Sequence, residues 1–408
     1  MTRPKQRLYE NRHGLFFFMF LVVYCCLDLS NIYYEADAGI TYSIYCMDFS
    51  FGFCSRLLPG AIFNLLFENI TPEKVMMYIR VLLLLCFLCA SLLISSFLKK
   101  FDKNFKQGFI CALFGSVVIF ECFNIGDLFG LLDFHWIIGL FIFMLALSNK
   151  WMYFAIPLAF IYVIMSHYGS MICYVPLFAL LLFIKIKFTS VRSEKISLTV
   201  IASISIVISA GLFIYLLMFE LDNFNVTLEE LNQFFNTRGI TETDYYAFPF
   251  FRETAGIANI VDDIDIDSII KIDYNRSKIL IMLQTVINQI QVNLLLWDHA
   301  KFIYTITTFL PLLVFIYKIL IKEAKKSKNC LCIIAILLPI FTIVCGFFMS
   351  TDTVRWISHG IIVLLVSFMY LIHYDKSSKE NYCNSVLKIP EAYALLYLII
   401  CATYIFIN

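Results

Sequence analysis

Val75-Met-Met-Tyr-Ile-Arg80-Val-Leu-Leu-Leu-Leu-Cys-Phe-Leu-Cys-Ala-Ser-Leu-Leu-Ile-Ser-Ser-Phe97 decides the fold. One ionisable group, Arg80, interrupts an apolar run long enough, at about 1.5 Å per residue, to cross a hydrocarbon core about 30 Å thick. Lys99-Lys100 closes the run on one side, and Asp48-Phe-Ser-Phe-Gly-Phe-Cys-Ser-Arg56-Leu-Leu-Pro-Gly60 lies ahead of it on the other. Further runs of this kind fall near 14–34, 108–125, 134–149, 151–166, 169–187, 197–219, 302–321, 330–349, 355–373 and 390–407. The expected fold class is therefore all-α: a polytopic transmembrane helix bundle of about 11 spans.

Composition agrees with this reading. The 408 residues are 61% hydrophobic and 15% charged, more apolar surface than a soluble domain can bury. The net charge of +1 and the lack of a basic patch with interleaved aromatics give no sign of a nucleic-acid partner; the partner is the lipid bilayer. Most of the fourteen cysteines sit inside apolar runs, without zinc-ligand spacing. Cys46 and Cys54 share one loop and are candidates for a disulfide or for two thiols.

Orientation follows from lysine and arginine. With the N-terminus inside, the inner segments carry 21 of the 31 basic residues. They include the cluster Arg3, Lys5, Arg7 and Arg12 and the loop from Lys318 to Lys328. The basic N-terminus also begins as a signal peptide would; no small-residue cleavage site follows, so the first run reads as an uncleaved span. The whole chain, 1–408, reads as one integral membrane domain with two long outer segments. Residues 35–74 form a first outer loop whose apolar piece, Leu57 to Phe67, is too short to span and reads as an interfacial helix. Residues 220–301 form a large outer region with 13 acidic and 6 basic residues. Its piece Ile279 to Trp297 reads as amphipathic or re-entrant; a twelfth span there would put five lysines outside.

Ionisable groups near membrane depth are costly and mark function. Here they share the outer side: Asp28, Asp48, Arg56, Arg80, Glu121, Asp127, Asp133, His135, His167, Asp352, Arg355 and His359. Plainer readings exist for several. Asp28 and Glu121 suit capping or headgroup pairing, Arg80 suits snorkelling, and His359, four residues after Arg355, suits helix packing. The alternating carboxylates from Asp262 to Asp267 fit a solvated acidic loop better than a cation site, and no residue is assigned to a metal or cofactor. Asp48 to Gly60 and Asp352 to Arg355 resist such readings. Asp352 suits a helix N-terminus, and two arginines on one face, Arg56 and Arg355, suit a pyrophosphate.

These residues resemble a pattern in polytopic proteins of bacterial surface-polysaccharide assembly. Gly52-Phe53 followed by Arg56 stands after the first span and Asp127 in a mid-chain turn. His167 precedes a span containing Pro176, and Asp352, Arg355 and Trp356 come near the end. Leu57 stands where a second arginine is usual, Gly126 precedes Asp127 without a nearby arginine, and Tyr168 stands where a glutamate is usual. The layout resembles O-antigen and capsule polymerases and also C-type membrane glycosyltransferases, whose catalytic aspartate Asp48 matches best, with Asp37 as its rival.

The resemblance implies an enzyme of the bacterial inner membrane, N-terminus cytoplasmic, that polymerises undecaprenyl-pyrophosphate-linked glycan units at the periplasmic face. A polysaccharide chain-length regulator is an implied partner. Asp48, His167 and Asp352 would be catalytic, and Arg56, Arg355, Asp127 and His135 would bind substrate. The alternatives are a transferase using a polyprenyl-phosphate sugar, which a metal at Asp262–Asp267 would favour, and a transporter of lipid-linked oligosaccharide.

Overall fold

The computed structural model describes residues 44–67, 70–98, 132–223, 228–237, 330–349 and 353–374, with isolated positions between 15 and 22 and between 287 and 325. Every regular element among them is helical. They are α1 (Leu57–Leu66), α2 (Pro72–Leu98), α3 (Asp133–Ser148), α4 (Ala155–Ser166), α5 (Ser170–Phe188), α6 (Arg192–Asn223), α7 (Leu228–Asn236), α8 (Cys330–Met349) and α9 (Thr353–Tyr374). Short 3-10 turns stand at Phe49–Phe51 and Lys150–Met152.

Five of these, α2, α5, α6, α8 and α9, are long and apolar enough to cross a membrane. Their bounds fall close to the expected spans, except that α6 continues to Asn223, into the region read as outer loop. The runs at 134–149 and 151–166 become the shorter helices α3 and α4. The expected spans at 108–125 and 390–407, nearly all of that at 14–34, most of that at 302–321, and nearly all of 238–301 lie outside the described residues.

α5 is the hub. It packs against α3, α4, α6, α8 and α9. Phe143 of α3 stacks on Phe178 of α5 at 4.2 Å and 4°, and Phe160 of α4 meets both rings edge-on. α8 and α9 form an antiparallel hairpin: a methyl group at Gly360 would meet Ile343 and the Pro339 carbonyl, and one at Gly346 would meet the Trp356 ring. On α6, Ile196, Val200, Ile204, Val207 and Ile214 recur at helical spacing and are exposed, as a lipid-facing stripe requires.

The ends of the bundle differ chemically. At one end Glu194 accepts from the Tyr153 hydroxyl at 2.7 Å and pairs with Lys185 at 3.7 Å, and Lys185 lies over the Tyr374 ring. That knot ties the turn before α4 to α5, α6 and α9. Chain direction puts the starts of α3, α5 and α9 and the end of α4 at the opposite end, called here the His167 end. α1 packs on α4, Arg56 at its start bonds the end of α4, and its backbone comes very close to the segment that precedes it. A Cβ at Gly60 would stand 1.8 Å from the Met47 carbonyl oxygen. Pro59 lies in the first turn of α1, where a helix needs no backbone N–H.

Candidate functional site

Arg56 begins the site. It is the one non-glycine residue with positive φ among the described residues, at φ 71°. For an L-residue this left-handed geometry costs roughly 1–2 kcal/mol and needs support from the surroundings. The support comes from the α4–α5 tip: the Arg56 amide donates to the Met165 carbonyl at 2.9 Å, and Nη2 lies 2.8 Å from His167 Nε2.

His167 caps the end of α4 and turns the chain into α5. Burial, and then the Arg56 guanidinium beside it, hold its imidazole well below the ordinary value, so the ring is neutral at pH 7. The Gly169 amide donates to Nδ1 at 2.9 Å while Arg56 approaches Nε2. A neutral imidazole has one acceptor nitrogen, so these two contacts compete for the tautomer.

Asp133, the first residue of α3, is the carboxylate of this end. It is 2% exposed. Its Oδ2 lies 3.1 Å from Arg355 Nε and 3.4 Å from His359 Nε2. The other nitrogen of His359 faces the Tyr174 hydroxyl at 3.2 Å, so Asp133, His359 and Tyr174 form a chain from α3 through α9 to α5. Arg355 and His359 stand one turn apart on α9 and reach the same carboxylate. A buried aspartate is tolerated when opposite charge lies beside it, as Arg355 does here.

Trp136, one turn into α3, packs among the same groups. Its ring meets His167 edge-on at 5.6 Å, His359 at 4.9 Å, Tyr174 at 5.5 Å and Trp356 at 6.2 Å. Among the described residues the site is thus an aromatic nest with two guanidinium groups, two imidazoles and one carboxylate. Among the described residues no group of His, Cys, Asp and Glu has a metal-binding arrangement.

The structure sorts the expected site residues. Arg56, His167 and Arg355 gather at the His167 end. His135 is close in sequence but differently employed: Nε2 meets the Tyr45 hydroxyl at 2.9 Å and Nδ1 the Tyr162 hydroxyl at 2.6 Å, so both ring nitrogens are engaged by tyrosines. Asp48 does a cap's work. Its Oδ1 accepts from the Ser50 amide at 2.9 Å and from the Ser50 hydroxyl, and its Oδ2 accepts from Asn64 of α1 at 2.7 Å. Cys46 and Cys54 are both buried and carry no disulfide. Arg80 is exposed on α2. Asp127, Asp352, Asp37 and the carboxylates from Asp262 to Asp267 lie outside the described residues.

Sequence reasoning undervalued Asp133 and His359 and missed Trp136 as a member of the site. The available signal was the stretch Asp133-Phe-His-Trp136, three polar or amphipathic groups in one turn at the head of an apolar run. No protein-family model matches the chain. No curated protein and no solved structure matches it either.

Proposed function

We propose that this membrane protein is an enzyme of bacterial surface-polysaccharide assembly that polymerises undecaprenyl-pyrophosphate-linked repeat units at the periplasmic face of the inner membrane. The carrying observation is the meeting of Arg56 and Arg355, from opposite halves of the chain, around His167 and Asp133. Arginine binds phosphate oxygens through a planar fork and stabilises the charge that grows on a leaving pyrophosphate. In the reaction the acceptor hydroxyl gives its proton to a base, its oxygen bonds to the anomeric carbon, and the bond from that carbon to pyrophosphate breaks.

Of the two candidate bases, His167 suits the role better than Asp48. Once Arg56 moves to substrate, His167 Nε2 is open to the acceptor hydroxyl and one cause of the ring's weakened basicity is removed, whereas the Asp48 oxygens hold Ser50 and Asn64. Asp133 is the carboxylate that pairs with Arg355 and so orients it. An N-terminus in the cytoplasm would put the His167 end outside.

The position of the charges favours an enzyme over a transporter of lipid-linked sugars. Asp133 opens α3 and Arg355 lies in the first turn of α9, near helix ends, whereas transporter sites lie near the bilayer midplane. The test is Arg355→Ala in the source bacterium, with protein level checked in the membrane and surface polysaccharide separated on a gel. Loss of long chains with build-up of single repeat units is expected; full-length chains at normal protein level would sink the reading.

A further inference from the structure

Buried donors accumulate at the His167 end without acceptors to match them. Trp136 and Trp356 are 1% and 2% exposed, with ring centroids 6.2 Å apart. Neither indole N–H meets an acceptor among the described residues. The hydroxyl of Ser170, a fully buried residue at the start of α5, is in the same state. Orphaned buried donors are rare in native structures, and three that belong to one cluster call for a common explanation.

Their connection is close. Trp356 lies against the α5 start, since a Cβ at Gly169 would meet its Cη2 at 3.3 Å. Trp136 touches Trp356, His167 and His359. Arg56 and Arg355 both act on His167 with positive charge, and the described carboxylate of the cluster, Asp133, already serves Arg355 and His359. Among the described residues, no anionic acceptor with several oxygens meets these three donors. A phosphoryl group supplies one, and indole N–H and hydroxyl donors become strong partners when the acceptor is charged and water is excluded.

We propose that the Trp136 and Trp356 indole N–H groups and the Ser170 hydroxyl form an oxyanion subsite for a phosphoryl or pyrophosphoryl group. The group enters when Arg56 leaves His167. The choice of pyrophosphate as ligand rests on the function proposed above; the subsite itself rests on the orphaned donors.

The test uses the full chain in phosphatidylcholine nanodiscs with 15N-labelled indole nitrogens. The chain has four tryptophans, so Trp136→Phe and Trp356→Phe assign the two signals while keeping an aromatic ring. Inorganic pyrophosphate and farnesyl pyrophosphate are titrated separately, with acetate as a control anion. Both site signals are expected to move downfield with pyrophosphate while that of Trp151, which is 79% exposed, stays. Each Phe variant is expected to weaken binding about tenfold, the loss of one charge-assisted hydrogen bond. Movement with farnesyl pyrophosphate alone assigns the subsite to a lipid-borne group; movement with both assigns it to pyrophosphate itself. Unmoved signals at saturation, or an equal response to acetate, would overturn the subsite, and the wild-type titration decides this even if a variant fails to fold. If binding fails here while Arg355→Ala still abolishes long chains, the subsite falls and the proposed function stands. If binding holds while Arg355→Ala leaves full-length chains, the proposed function falls and the subsite stands.

Discussion

Arg56 Nη2 lies 2.8 Å from His167 Nε2, joining residues 111 positions apart in the chain. The same arginine holds a left-handed backbone and donates its amide to Met165. Strain and a functional type of side chain therefore coincide at one residue, and the α4–α5 tip holds both. Arg56→Gly separates them. Glycine adopts this backbone without steric cost, so Arg56→Gly should be about 1 kcal/mol more stable than Arg56→Ala. Thermal unfolding in detergent measures the difference. Both variants should lose long-chain polysaccharide; a glycine variant that keeps it would remove Arg56 from the chemistry.

The Asp133–Arg355–His359 group is buried as a unit, with side-chain exposures of 3%, 16% and 0%. Asp133→Ala leaves a guanidinium and an imidazole without their carboxylate. Breaking such a pair from one side costs about 3 kcal/mol or more, so this variant should unfold well before wild type on heating. Arg355→Ala combined with Asp133→Ala should recover part of the loss, because no charge is then stranded.

Asp48 distinguishes a cap from a base. Asp48→Ala removes the acceptors for Ser50 and Asn64 and should cost about 1 kcal/mol, a typical capping loss. Asp48→Asn keeps one acceptor oxygen and should retain polysaccharide chain length, while His167→Ala should not. Loss of chains in Asp48→Asn at normal protein level would return Asp48 to the catalytic list.

Acid should act through His167. Its imidazole sits below the ordinary value, chiefly through burial and then through Arg56. A depressed value means that the fold prefers the neutral ring. The stabilisation is complete above the unfolded value, near pH 6.5, and is lost as pH falls below it and the ring must take a proton beside Arg56. Wild-type melting temperature should therefore decline from about pH 6.5 downward, and His167→Gln should show a shallower decline over the same range.

Three glycines give a graded test of packing. Gly60→Ala forces a methyl to within 1.8 Å of a backbone oxygen and should prevent folding or cost more than about 3 kcal/mol. Gly139→Ala meets a Val163 methyl at 2.3 Å, a side chain with some freedom, and should be intermediate. Gly211→Ala meets nothing within 4 Å on α6 and should gain up to about 1 kcal/mol from helix propensity. Expression and melting temperature in detergent rank the three.

The amino-acid sequence by itself determined that this chain is helical and built for a membrane. Runs such as Val75–Phe97 and Cys330–Met349 have one stable solution in lipid, because the helix satisfies every backbone polar group within the segment. It also singled out the polar groups, since a charge inside an apolar run is conspicuous without coordinates. Their partners were decided only by tertiary structure. Asp133 was one carboxylate among several in the sequence; helix packing made it the counterion of Arg355 and His359. Asp48 stood at the centre of the most suggestive loop; the fold spends it on Ser50 and Asn64. Trp136 was marked only by its place in Asp133-Phe-His-Trp136 at the head of an apolar run, yet its ring is what the two site histidines pack against. Periodicity and hydropathy describe each helix against its solvent, whereas a site depends on which helix ends meet. That is settled by close contacts at Gly60, Gly139, Gly346 and Gly360, whose partners lie in other segments and leave no local pattern.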